Sequence, residues 1–199
     1  LVDNAAEIPP LANIHKFSDL GADLVVFSGG KGLRGPQCTG LILGRRDLIA
    51  ACAANSNPHH SIGRSLKVGK EEICGMVRAL ELYIDEISRT ERDLWERMVQ
   101  HILDALGGLP GVRAWRHFPY RPYRDVPVVA IQVAEGLGLT AQQILERLEA
   151  GDPPIFAPAP DGGFGYPPGQ GFIINPHTML EGEERVVARR LREVLIREA

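Results

Sequence analysis

Asp3 and Lys31, 28 positions apart, are the two residues best placed to do chemistry. Lys31 follows a β-branched run and two glycines in VVFSGGKGLRGPQ, residues 25–37. A lysine in that setting has three readings. It can stand in solvent, as most lysines do. It can belong to a phosphate cradle, because glycines after a strand expose backbone N–H groups. Against that, G-x-x-x-x-G-K-[ST] is absent, and this lysine precedes the glycine-spaced turn instead of following it. The third reading is a Schiff-base lysine, which needs rigid backbone and surroundings that lower its pKa from about 10.4.

Asp3 bears on the choice. It ends what reads as a buried strand, the place where α/β sheets bind ligands. By itself it is equally a cap for the helical segment that follows. A carboxylate there can also pair with a ring nitrogen and keep it protonated, as pyridoxal phosphate requires for its electron sink. Ala5, two residues on, faces the same side of an extended chain, and its small side chain leaves room for a flat ring.

The elements that must position these residues follow from the apolar pattern. Residues 1–2, 24–27 and 39–43 read as short strands, and their continuous apolarity predicts a sheet covered on both faces. LANIHKFSDLGAD supplies a crossover helix ending at Gly21, and DLIAACAAN a second helix. From Glu71 the residues Ile73, Met76, Val77, Leu80, Tyr83, Ile84 and Ile87 form a helical stripe. It resumes through Leu94, Met98, Ile102 and Leu106 before Gly107, Gly108 and Pro110 stop it. A helical stretch of about 50 Å is predicted, a spine between two lobes. Beyond it, VRAWRHF and VPVVAIQV read as strands, and Thr140 with Gln143 as a capping box for AQQILERLEA. PPIFAP and GFIIN flank Asp161-Gly162-Gly163 as a predicted hairpin, and an amphipathic helix runs from Glu181 onward. The expected fold class is α/β: residues 1–70 the remainder of a large domain, 71–107 a connecting helical segment, and 112–199 a small α+β domain of order β-β-α-β-β-α. Because LVDNAAEIPP opens on a strand end with no preceding turn, the sequence is expected to be the C-terminal portion of a longer protein.

Composition narrows the function classes. The 44% hydrophobic and 24% charged content is that of a soluble globule. A net charge of −3 gives no reason to expect nucleic acid as the main partner. Cys38, Cys52 and Cys74 have no C-x-x-C spacing, which argues against a disulfide framework and suits a cytoplasmic protein. No apolar run reaches the roughly 18 residues that span a bilayer, and no His/Cys/Asp group has metal-ligand spacing.

Taken in order, Asp3, S-G-G-K at Lys31, G-P-Q at 35–37 and G-R-x-x-K-V-G-K-E at 63–71 resemble the fold type I pyridoxal-phosphate enzymes. GADLVVFSGGKGLRGPQCTGLILGRRDLI and IGRSLKVGKEEICG are similar to the branch related to bacterial selenocysteine synthase (L-seryl-tRNA(Sec) selenium transferase), especially the D-glucosaminate-6-phosphate ammonia-lyase-like proteins. The likeness is dense over residues 2–83. Later it rests on the layout of the small domain and on INPHTM. It implies the cofactor pyridoxal 5'-phosphate, a Schiff base at Lys31 that later moves the substrate Cα proton, and Asp3 on the ring nitrogen. Ala5 lies beside the ring. Ser28 corresponds to a hydroxyl at the cofactor phosphate, or is a strand-end cap. Gly35, Pro36 and Gln37 form the turn after the lysine, with Gln37 facing substrate or phosphate.

The implied reaction is lyase action on an amino acid or amino-sugar acid, phosphorylated or not, with ammonia released. Transfer or racemisation on the same scaffold is the alternative, as is a non-catalytic remnant with a structural role. The family's phosphate-binding loop and its ring-stacking residue fall in a half of the large domain that this sequence lacks, so the chain alone is expected to bind the cofactor poorly or not at all.

Arg64, Lys67 and Lys70 form a second basic cluster. It is either a solvated entrance to the long helix or a site for an anion: a sugar-acid phosphate, the cofactor phosphate, or acidic groups of a second subunit in a homo-oligomer. His15, His59, His60 and His177 are open between acid–base groups and uninvolved side chains.

Overall fold

The computed structural model describes residues 1–159 and 163–196. The chain divides into two compact units, Leu1–Thr90 and Glu91–Ala199.

In the first unit, β1 (Val2–Asp3), β2 (Leu24–Ser28) and β3 (Gly40–Gly44) form one sheet in that order. β1 runs parallel to β2, with Val2 beside Val25 and Asp3 beside Val26. β3 is antiparallel to β2. The crossover from β1 to β2 carries α1 (Asn13–Asp19), which ends as expected before Gly21 in the left-handed region, φ 97°. Val25 and Phe27 of β2 are buried among Ile8, Ile14, Leu33, Met76 and Tyr83. Leu24, Val26 and Ser28, on the other face, are half-buried, and Ile42, paired with Val26, is exposed. The sheet is therefore covered on one face among the described residues, not on both as its apolarity predicts. Ile14 of α1 and Met76 supply cover on the Val25–Phe27 side.

After α2 (Arg46–Ala54), the predicted helical stretch is present as α3 (Lys70–Leu82), a π-helical turn (Tyr83–Ile87) and α4 (Ser88–Leu106). Periodicity alone did not foretell the π turn. Of the stripe, Met76 and Tyr83 are buried, whereas Ile73, Val77 and Ile84 are exposed. α4 stops where the glycines predict, with Gly108 at φ 76°.

In the second unit, β4 (Val112–His117), β5 (Val128–Val133) and β6 (Gly171–Ile174) form an antiparallel sheet. α5 (Ala141–Glu149), α6 (Glu183–Ile196) and the main part of α4 pack with it around Ile102, Ile131, Ile144, Leu148, Phe172 and Leu191. The Thr140–Gln143 capping box is formed in both directions. The observed order is β-β-α-β-α, one strand short of the prediction. PPIFAP makes no strand: Pro153, Pro154 and Pro158 have no N–H to give, and the Ile155 amide donates to the Leu148 carbonyl instead. The predicted turn at Asp161-Gly162 lies outside the described residues.

On α4, Glu96 takes a bidentate pair of hydrogen bonds from Arg116 of β4, at 2.7 and 2.6 Å. Those bonds hold the Glu96 carboxyl below its ordinary range. Burial pushes the Tyr166 phenol up to about 12 and the His117 imidazole down. No helix among the described residues is long and apolar enough to cross a membrane.

Candidate active site

The C-terminal ends of β1 and β2 lie side by side because the strands are parallel. Backbone bonds extend the pairing past the strands: the Asn4 amide donates to Val26 at 2.9 Å and the Ser28 amide to Ala5 at 3.3 Å. Side chains alternate across a strand. Asp3, Val26 and Ser28 therefore share the face opposite the Val25–Phe27 core. Asp3 is exposed there, and its Oδ1 accepts from the Ala5 amide at 3.0 Å. This bond closes a local turn and occupies one carboxylate oxygen; the helix cap that its residue type allowed is not formed, because α1 begins at Asn13 with Ala12 at its N-cap.

Lys31 stands three residues past Ser28, exposed, in a loop closed at several points. The Gly29 amide donates to the Thr39 carbonyl (2.9 Å), prolonging the β2–β3 ladder, and the Gly35 amide to the Gly29 carbonyl (2.7 Å). Lys31 opens a turn whose Arg34 amide returns to the Lys31 carbonyl at 2.9 Å. Gly29 is compulsory: a Cβ there would lie 2.0 Å from Thr39 Oγ1 and 2.7 Å from Met76 Sδ. Leu33, fully buried, pins the far side of the loop to the core. Lys31 thus has the rigid support that covalent chemistry needs.

Ala5 is half-buried, next to Ser28. Gln37 turns inward within the loop, its Nε2 donating to the Gly30 carbonyl at 3.0 Å. The second cluster is spread along the chain. Arg64 donates to the Pro58 carbonyl, Lys67 is exposed, and Lys70 opens α3 with its Nζ 3.9 Å from Glu71. Because Glu71 and Glu72 occupy the first turn of that helix, the helix dipole is already matched. An anion at the cluster must then be argued from Arg64 and Lys67 more than from the helix end.

His15, His59 and His60 are exposed, and His177 packs edge-on against Trp95 in the second unit, centroids 5.2 Å apart. Among the described residues no group of three His, Cys, Asp or Glu is arranged to hold a metal. Residue types did not single out Thr39, whose buried hydroxyl donates to Pro36 at 2.6 Å, or Asn4, 1% exposed beside Asp3. The only signal available was a polar residue at each end of an apolar strand.

The family model for L-seryl-tRNA selenium transferase matches residues 4–107. Over 98% of its length the chain is 33% identical to D-glucosaminate-6-phosphate ammonia lyase of Salmonella typhimurium, covering 48% of that protein. It is 34% identical to 5'-C-glycyluridine monooxygenase-decarboxylase of a Streptomyces species, again over 98% of this chain and covering 46% of that one. A solved structure of D-glucosaminate-6-phosphate ammonia-lyase superposes with a TM-score of 0.72 at 29% identity, across 99% of this chain and 49% of the other. The chain spans about half the length of these relatives. The mixed α/β architecture is that of the ammonia-lyase, and the matched span holds Ser28, the S-G-G-K loop and the 64–70 segment. This chain belongs to the L-seryl-tRNA selenium transferase (SelA) family.

Proposed function

We propose that the intact protein is a pyridoxal-5'-phosphate-dependent lyase that releases ammonia from an amino acid or amino-sugar acid, phosphorylated or not. The observation that carries this is the convergence of Asp3, Ser28 and the Lys31 loop at two adjacent parallel strand ends. One relative supports the direction, since it is named an ammonia lyase of an amino-sugar acid phosphate.

The residues present fit the parts of the cofactor they would hold. Asp3 keeps one oxygen without a hydrogen bond among the described residues, on the exposed face of the sheet. Ala5 beside it takes up little space, Ser28 offers a hydroxyl, and Lys31 a primary amine on a braced loop. When bound, the cofactor supplies an electron sink for a carbanion at the substrate Cα. Asp3 would hold a proton on the ring nitrogen by its negative charge. Ser28 Oγ would donate to the phosphate. Lys31 Nζ would anchor the cofactor and serve as the base for the substrate Cα proton. Arg64, Lys67 and Lys70 would receive the anionic end of the substrate or the cofactor phosphate.

Transfer on the same scaffold is the second reading, favoured by the family match itself. We further place the protein in the cytoplasm as a homo-oligomer. Three free thiols suit the first, and the exposed apolar residues of the 62–77 segment suit the second.

The test uses the intact protein with pyridoxal 5'-phosphate. A visible absorbance band that vanishes on borohydride reduction is expected, followed by ammonia release from amino-sugar acids. A band without ammonia would favour transfer, and no band at all would leave a non-catalytic scaffold.

A further inference from the structure

We propose that Gln37 is a positioning residue for Lys31: its carboxamide grips the peptide unit that carries the lysine and does not bind substrate. This rests on the reading of Lys31 as the cofactor's anchor.

The carbonyl that Gln37 holds belongs to Gly30, so it lies in the peptide bond whose nitrogen is that of Lys31. That unit is planar, and fixing its oxygen fixes the direction in which the Lys31 N–Cα bond leaves. The contact is close as well as polar. A Cβ on Gly30 would lie 2.6 Å from both Gln37 Cα and Gln37 Oε1. Gly30 therefore has room for Gln37 because it is glycine, and the carboxamide lies against it with its Nε2 engaged.

The remaining loop bonds do other work. Gly29 to Thr39 and Gly35 to Gly29 close the loop's neck, and Arg34 to Lys31 shapes the turn that follows the lysine. The bond from Gln37 reaches the peptide immediately before Lys31. Gln37 is exposed, so losing its side chain disturbs no core. The consequence is confined to where Lys31 points.

The experiment compares intact wild type with Gln37→Met, similar in length without a donor, and Gln37→Glu, equal in shape and a non-donor at neutral pH. Each is treated with pyridoxal 5'-phosphate, trapped by borohydride at timed intervals, and mapped for label at Lys31. Both variants are expected to label about tenfold more slowly at saturation, with the half-saturating concentration unchanged. Amide exchange at Arg34, which donates to Lys31, is expected to quicken, while that at Gly29 holds. Melting temperatures should match wild type.

A labelling rate within twofold of wild type, or a raised half-saturating concentration with an unchanged rate, overturns the assignment. The latter outcome would make Gln37 a ligand contact. A fall in melting temperature that accounts for the slower labelling also overturns it, as a structural role. The parent reading fails separately: if wild type takes no label at Lys31, that anchor is refuted, and Gln37 is left as a loop clamp only.

Discussion

The Ser28 amide donates to the Ala5 carbonyl at 3.3 Å, joining β2 to the chain just beyond β1. This bond keeps the Asp3-bearing and Lys31-bearing segments together past the last paired residues of the sheet. Because Asp3 and Ser28 share a face, a flat ligand laid across the strand ends meets a carboxylate and a hydroxyl from the same side. The lysine follows three residues later, on a loop that its own hydrogen bonds close.

The chain has four lysines, Lys16, Lys31, Lys67 and Lys70, so the covalent anchor can be assigned by mapping. Reduction of the intact protein with pyridoxal 5'-phosphate is expected to place the pyridoxyl group on Lys31. Label on any other lysine would refute the assignment.

Asp3→Asn separates the two roles of Asp3. An asparagine Oδ1 still accepts from the Ala5 amide, so the local turn survives and the melting temperature should hold. On the proposed function, the charge opposite the ring nitrogen would be lost. Several kcal/mol of carbanion stabilisation correspond to a rate lower by about three decades or more. A variant within tenfold of wild type would show that Asp3 serves only the local turn.

Much of this was legible in the sequence because it depends on local chemistry. Gly21, Gly107-Gly108 and Thr140 with Gln143 mark helix ends by backbone conformation and capping, and the helices end or begin there. Burial was less legible. Val26 and Ile42 are as apolar as Val25, yet they lie on the uncovered face, because a strand's composition does not say what packs on it. The inward turn of Gln37 was hidden for a related reason: whether a carboxamide meets a ligand or its own loop depends on how residues 29–39 close.

Thr140→Ala should destabilise the second unit by about 1 kcal/mol, the usual worth of an N-cap hydroxyl. The hydroxyl accepts from the Gln143 amide at 3.2 Å, while Gln143 Oε1 accepts from the Thr140 amide at 2.9 Å. Gln143→Ala is expected to cost less, and the double variant less than the sum, since both halves belong to one motif. Denaturant unfolding of the four proteins checks this. Strict additivity would mean that the two bonds act independently.

The Glu96–Arg116 pair sets an acid dependence. Arg116 holds the Glu96 carboxyl below its ordinary value of 4.5 in the folded protein, so the folded state binds this proton less readily than the unfolded one. The pair's contribution is complete above that ordinary value and is lost as pH falls below it, through the lowered folded value. Glu96→Gln should therefore reduce stability at neutral pH and flatten the decline below about pH 4.5. An acid limb of unchanged steepness would show that Glu96 contributes nothing to it.

Assembly is the last expectation. Ile62 is 92% exposed and Leu66 80%, within the segment that also carries Arg64, Lys67 and Lys70. On α3, Ile73 and Val77 are also exposed, 52% and 53%. Exposed apolar residues among cations make poor solvent-facing surface and good interface, since burial removes the apolar area while the cations meet anionic groups. The intact protein is therefore expected to be a homodimer or a larger even-numbered oligomer, with this segment against its neighbour. Light scattering at low micromolar concentration measures the mass, and Ile73→Glu with Val77→Glu should shift it toward monomer. Arg64→Ala with Lys70→Ala should weaken pyridoxal 5'-phosphate binding by about tenfold, equivalent to roughly 1.4 kcal/mol. An active wild-type monomer would rule out the interface, and unchanged cofactor affinity in the double alanine variant would remove the cations from the site.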